Sequence, residues 1–179
     1  YLDSPMAVHT TDLYDRHLGE HRLNAAQCRD MERVAKMVTS VDQSKAIAQQ
    51  HGPKVILSAS GMATGGRVLH HLALYLGHHR NMVVLTGYQA PGTRGATLAA
   101  GGQALRIHGQ DIPVRAEVVQ LNSASAHADA GQLLAWLRAM PGAPRRVFVV
   151  HGDQEASDRL RYRIENELRW QALVPEHGS

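Results

Sequence analysis

Three short apolar runs constrain the fold most: Val55-Ile56-Leu57, Val83-Val84-Leu85 and Val147-Phe148-Val149-Val150. Each is bounded by turn formers and none alternates polar with apolar, the pattern of a strand covered on both faces in a parallel sheet. Between the first two, residues 68–76 set Val68, Leu69, Leu72 and Leu76 on one helical face. Strand, helix and strand in that order predict a βαβ unit and an α/β fold. Residues 7–17 and 24–38 carry looser helical spacing, the second with Met31, Val34 and Val38 on one stripe. Residues 42–50 form a third helix, closed by Gly52-Pro53, because glycine accepts the left-handed cap and proline cannot continue the helix.

The later part is patterned differently. Residues 86–109 are rich in glycine and read as loop, with a short strand at 105–107. Residues 114–121 suit a half-buried strand, Val114, Ala116 and Val118 alternating with Arg115 and Glu117. Asp129 and Gln132 have the spacing of a capping box ahead of Leu133, Leu134, Trp136 and Leu137, and Pro141-Gly142 ends that helix. A last helix is expected on Leu160, Ile164 and Leu168, and a last strand at 172–174. The composition shift near Gly87 divides the chain into segments 1–87 and 88–179.

With 179 residues, 44% of them hydrophobic, the chain can bury one sizeable core or two small ones. It holds no apolar run long enough to span a bilayer, so we expect a cytoplasmic protein without a membrane partner. The lone cysteine, Cys28, cannot form an internal disulfide and reads as a packing residue. A formal charge of +3 is too small to announce a nucleic-acid partner. The basic residues are 16 arginines and 3 lysines, which fits phosphate recognition but fits a compositional bias of the genome better. Of the 12 histidines, His70-His71 and His78-His79 lie on or beside a helix and read as surface residues.

Three segments stand where α/β folds place ligands, at the carboxyl ends of strands. In the first, Ser58-Ala59-Ser60-Gly61-Met62-Ala63-Thr64-Gly65-Gly66-Arg67, hydroxyls and glycines lead into a helix whose N–H groups would face an anion, with Arg67 adding charge. It matches neither common phosphate-loop pattern and reads equally as a turn and cap. In the second, His127 precedes a helix beside Ser123 and Ser125, placed to hold a phosphate oxygen or to give a proton to a leaving oxygen, whereas Asp129 is fully explained as a cap. In the third, His151 stands at the mouth of a strand, where a neutral imidazole can meet a metal. Zinc hydrolysis needs three or more ligands, and these residues contain no H-x-H-x-D-H or H-E-x-x-H cluster.

Taken in order, the strings Tyr1-Leu2-Asp3-Ser4-Pro5-Met6-Ala7, Ser60-Gly61-Met62, Gly65-Gly66-Arg67-Val68-Leu69-His70-His71, Gly87-Tyr88-Gln89, Gly92-Thr93-Arg94-Gly95, Ile112-Pro113-Val114-Arg115-Ala116, Ser125-Ala126-His127-Ala128-Asp129, Val150-His151-Gly152-Asp153 and Val174-Pro175-Glu176-His177-Gly178 resemble the metallo-β-lactamase-fold nucleases of the β-CASP group. The likeness is to the RNA-processing branch, similar to the nuclease subunit of the cleavage and polyadenylation specificity factor, and it runs through essentially the whole chain. It implies a largely parallel sheet from the second half of the β-CASP domain (1–87) followed by the carboxyl-terminal return segment of the metallo-β-lactamase αββα fold (88–179). It also implies a zinc-dependent ribonuclease that hydrolyses RNA phosphodiesters with two metal ions.

By the same resemblance His127 is the catalytic acid or phosphate clamp, Ser125, Ser60 and Gly61 hold substrate phosphate, and His151 is a ligand of the second zinc. Histidine at position 151 favours RNA over DNA. The family's H-x-H-x-D-H cluster, its next histidine and bridging aspartate, and the acidic partner of His127 have no counterpart in these residues. We therefore expect a carboxyl-terminal piece of the enzyme, inactive by itself, with an exposed apolar face that allows homo-oligomers. Two other classes stay open: a non-catalytic RNA-binding or scaffolding module of the same family, and an unrelated α/β phosphate-binding domain built on the Ser60 loop.

Overall fold

Short polar side chains start most of the helices in the computed structural model, which describes residues 1–121 and 127–176. Ser4 caps α1 (Pro5–Arg16), its hydroxyl accepting from the Ala7 N–H with Pro5 in the first turn. Asn24 with Gln27 and Ser40 with Gln43 form reciprocal capping boxes on α2 (Ala25–Val34) and α3 (Val41–Gln49). Gly66 opens α4 (Arg67–Tyr75), and β1 (Met82–Leu85) follows. Then come α5 (Arg94–Ala99), β2 (Ala104–Ile107), β3 (Gln110–Pro113) and β4 (Glu117–Gln120). The remainder runs through α6 (Ala130–Arg138), β5 (Val147–Phe148), α7 (Gln154–Arg163), a π-helical turn (Ile164–Leu168) and β6 (Ala172–Leu173). Among the described residues no helix is long and apolar enough to cross a membrane.

The chain divides into two compact units, Tyr1–Ser125 and Ala126–Ser179. In the first, β1 and β4 pair in parallel from Met82 opposite Glu117 to Leu85 opposite Gln120, so the seam expected near Gly87 falls inside this unit. β2 and β3 form an antiparallel hairpin. Its two turn residues, His108 and Gly109, both have positive φ, as a two-residue hairpin turn requires. Leu69, Leu72, Leu76, Leu85, Leu98, Leu105 and Ile107 make the core, each contributing about 1.5–3 kcal/mol by leaving water. In the second unit β5 and β6 pair in parallel, and Leu134, Leu137, Val149 and Ile164 form a separate core.

The fold is α/β with small, mostly parallel sheets. Several details differ from the sequence reading. The Val55-Ile56-Leu57 run is not a strand buried on both faces: Val55 is 74% exposed and Leu57 53%. It is extended, and Leu2 bridges in parallel to Leu57 on one side and Met37 on the other, so this segment does not pair with β1 as the βαβ reading requires. Hydrophobicity selects an extended run without specifying which edge lies beside it. β5 is shorter than the 147–150 run, and Val149 faces the core while Phe148 and Val150 are exposed.

The helix at 24–38 stops at Val34, because Ala35 turns extended; Val34 is therefore outside the stripe and exposed, while Val38 is buried from the extended segment. The glycine-rich stretch hides α5, started by Thr93, whose hydroxyl accepts from the Ala96 N–H. Cys28 is buried, as a packing residue should be.

Candidate functional site

Residues 58–66 connect the extended Leu57 segment to α4. Ser60, Ala63 and Gly66 all take positive φ, 68°, 53° and 76°. The Ser60 hydroxyl oxygen accepts from the Thr64 and Gly65 N–H groups at 3.3 and 3.2 Å and lies 3.1 Å from the Thr64 hydroxyl. Two of the N–H groups expected to face an anion are thus turned onto Ser60 itself. A Cβ added at Gly61 or Gly65 would meet nothing within 4 Å, so at these two positions a ligand can approach the backbone closely. At the start of α4 no side chain caps the helix, leaving its first N–H groups to solvent or a ligand.

Beneath this loop lies a charge that sequence reasoning missed. Asp3 is 0% exposed. Its carboxylate accepts from Arg67 Nη1 at 2.7 Å, His71 Nε2 at 2.6 Å and the Ser44 hydroxyl at 2.5 Å. Burial alone would raise its pKa, but the Ser44 hydroxyl, the His71 ring and Arg67 together hold it below the ordinary aspartate value. Two sequence expectations are corrected here. Arg67 does not add charge for an anion: it faces Asp3 and also donates to the Val38 and Thr39 carbonyl oxygens, both at 3.1 Å. His71 is not a surface residue but is buried against Asp3, whereas His70 stays exposed and stacks on His108 with ring centroids 4.7 Å apart.

The sequence carries only part of the signal for this network. Arg67 and His71 sit four apart, one turn on the same helix side, so an acceptor reached by one lies within reach of the other.

The second glycine-rich segment packs on the loop from another side. The Gly95 N–H donates to the Met62 carbonyl oxygen at 2.9 Å. A Cβ at Gly95 would lie 1.7 Å from Gln89 Oε1 and 3.0 Å from Met62 Cα, so a larger residue would have to displace the Gln89 amide and press on the Met62 backbone.

In the second unit the capping box at Asp129 forms as its spacing implied, Asp129 Oδ1 accepting from the Gln132 N–H at 2.8 Å. His127 is exposed two residues before that cap. His151 is exposed too, in the left-handed region at φ 62°, between the end of the β5 run and Asp153, the residue that starts α7. Behind it, Gly152 lets Ser157 approach: a Cβ there would fall 2.5 Å from the Ser157 hydroxyl oxygen. Ser125 lies outside the described residues. Ser60 and Gly61 belong to the first unit, His127 and His151 to the second. Among the described residues no three His, Cys, Asp or Glu side chains converge, so His151 offers one donor and the residues present do not fit a complete zinc site.

Comparison with known families agrees in both parts of the chain. Residues 1–98 match the family model described as Beta-Casp domain, and residues 111–175 match that of the Zn-dependent metallo-hydrolase RNA specificity domain. Ribonuclease TTHA0252 of Thermus thermophilus is 41% identical over 161 residues, covering 87% of this chain and 36% of the relative. An RNase J-like protein of Methanocaldococcus jannaschii is 36% identical over 127 residues, 71% of this chain and 30% of that protein. Integrator complex subunit 11 of Gallus gallus is 32% identical over 135 residues, 75% of this chain and 22% of its own. The matched region thus spans between 22% and 36% of these relatives.

Proposed function

The chain belongs to the Beta-Casp family, and on that premise we propose that it is the substrate-gripping and proton-donating part of a zinc-dependent ribonuclease. The 58–66 loop, through Ser60, Gly61 and the open N–H groups at the start of α4, holds a phosphate of the RNA; Ser125 holds another phosphate oxygen. His127 delivers a proton from its ring to the oxygen that leaves when the phosphodiester is broken. His151 serves as one ligand of a zinc ion whose other ligands come from outside these residues. When bound, zinc supplies an activated water in such hydrolases. The described residues do not by themselves assemble the site of that metal.

The observation that carries this reading is His151. A non-glycine residue held with positive φ, exposed, at the mouth of a strand and beside a glycine that packing requires, has no role in the core. A match of 111–175 to an RNA specificity domain supports RNA as the substrate. In the full-length protein that contains this chain, His127→Ala is expected to lower kcat for RNA cleavage by about 10²–10⁴-fold with RNA affinity little changed. Unchanged kcat would overturn the role of His127. Full-length protein that binds RNA and never cleaves it would favour the non-catalytic module.

A further inference from the structure

We propose that Asp3 is the positioning residue of the 58–66 loop, tying down both of its ends so that the loop keeps the shape in which it receives an RNA phosphate. This rests on the assignment of that loop to substrate phosphate made above.

The ties are explicit. Before the loop, the Asp3 N–H donates to the Leu57 carbonyl oxygen at 2.8 Å, and the Ser58 hydroxyl donates to the Asp3 carbonyl oxygen at 3.0 Å. After it, the carboxylate holds Arg67, the first residue of α4, and His71 one turn on. One residue, remote in sequence, therefore fixes the point where the chain enters the loop and the point where it leaves. The loop needs such support: Ser60 and Ala63 are left-handed without being glycine, a conformation costing about 1–2 kcal/mol per residue, which persists only where the surroundings over-determine it.

The arrangement separates positioning from two simpler roles. Asp3 is wholly buried and Arg67 is spent on Asp3, Val38 and Thr39, so neither side chain is directed to a ligand. If Asp3 acted on the anion only through its field, removing its negative charge would tighten phosphate binding. If it only stabilised the fold, the affinity of the folded chain would not change. A positioning role alone predicts weaker binding by chains that remain folded.

The test is a titration of the 179-residue chain, isotopically labelled, with a short single-stranded RNA oligonucleotide, following the amide resonances of Gly61, Gly65, Gly66 and Arg67. In the native chain these signals are expected to move. Asp3→Asn, which keeps the shape and removes the charge, should weaken the fitted affinity about tenfold or more while circular dichroism stays native. Ser58→Ala, which leaves the charge network intact and cuts one entry tie, should weaken it in the same direction. If Asp3→Asn does not fold, Ser58→Ala and Arg67→Lys decide. Native or tighter affinity in the folded variants would overturn the positioning role and leave the loop assignment standing. No movement of these signals in the native chain would overturn the loop assignment, and the positioning role with it.

Discussion

His71 Nε2 lies 2.6 Å from Asp3 Oδ2, joining two residues 68 apart in sequence in a contact sealed from solvent. Because an ionised carboxylate can only accept, the hydrogen in this bond belongs to the imidazole. The contact brings α4 onto the extended Asp3 segment, and the same carboxylate draws in Arg67 and Ser44. Asp3→Ala removes the common acceptor, leaving the buried His71 imidazole without it and the partly exposed Arg67 guanidinium with only the Val38 and Thr39 carbonyl oxygens, which should cost about 1–3 kcal/mol of stability. Urea unfolding of the native and variant chains measures this; a loss under about 1 kcal/mol would mean the network behaves as a surface pair.

The pH dependence has a definite sign. Asp3 has a folded pKa below its ordinary value near 3.8, so the stability it contributes is fully present above that value and is lost as the pH falls from there through the folded value. Acid unfolding followed by circular dichroism should therefore show a steep loss of stability below about pH 4. Asp3→Asn should flatten that segment of the curve. An equally steep loss in the variant would place the acid sensitivity on other groups.

Gly95→Ala tests the packing between the two glycine-rich segments. The added methyl would push on the Gln89 side chain and on the Met62 backbone. Overpacking of this kind typically costs about 1–3 kcal/mol. Thermal unfolding should show the loss, and amide resonances at 60–66 should shift because Met62 belongs to that loop.

Asp129→Ala removes half of a reciprocal cap on α6 and should cost about 1 kcal/mol, read as a lower urea midpoint with unchanged slope. A change well beyond that would show that Asp129 does more than start the helix.

Much of the architecture was legible in the sequence, where local chemistry dictated local structure. The Asp129–Gln132 box, the apolar face of Leu69, Leu72 and Leu76, and the buried Ile164 depend on residues a few positions apart. What was not legible depends on partners distant in sequence. Val55 and Leu57 have the composition of a covered strand, yet among the described residues that segment finds a bridge on one edge, to Leu2. α5 was hidden because Gly95 serves close packing on Met62 and Gln89, a reason invisible to helix propensity. By sequence alone His71 reads as a surface residue, because nothing near it marks Asp3 as its acceptor. Of the candidate site, the placement of His127 and His151 ahead of two helices followed from the pattern, whereas the left-handed backbone at His151 did not.

The exposed apolar side chains Val55, Leu57, Met82 and Val84 of the first unit should drive self-association. Size-exclusion chromatography with light scattering across a dilution series is expected to show mass rising with concentration, and Leu57→Glu should suppress it. A monomer at every concentration would contradict this.

The proposed grip of these residues on RNA, and their part in its hydrolysis, are tested most directly by cleavage of single-stranded RNA. The comparison is between the 179-residue chain and the full-length protein carrying it, each native and with His127→Ala or His151→Ala. The 179-residue chain is expected not to cleave, the full-length protein to cleave, and either substitution to remove most of the cleavage. Cleavage by the 179-residue chain alone that is lost in His151→Ala, or full-length cleavage that survives both substitutions, would contradict this proposal.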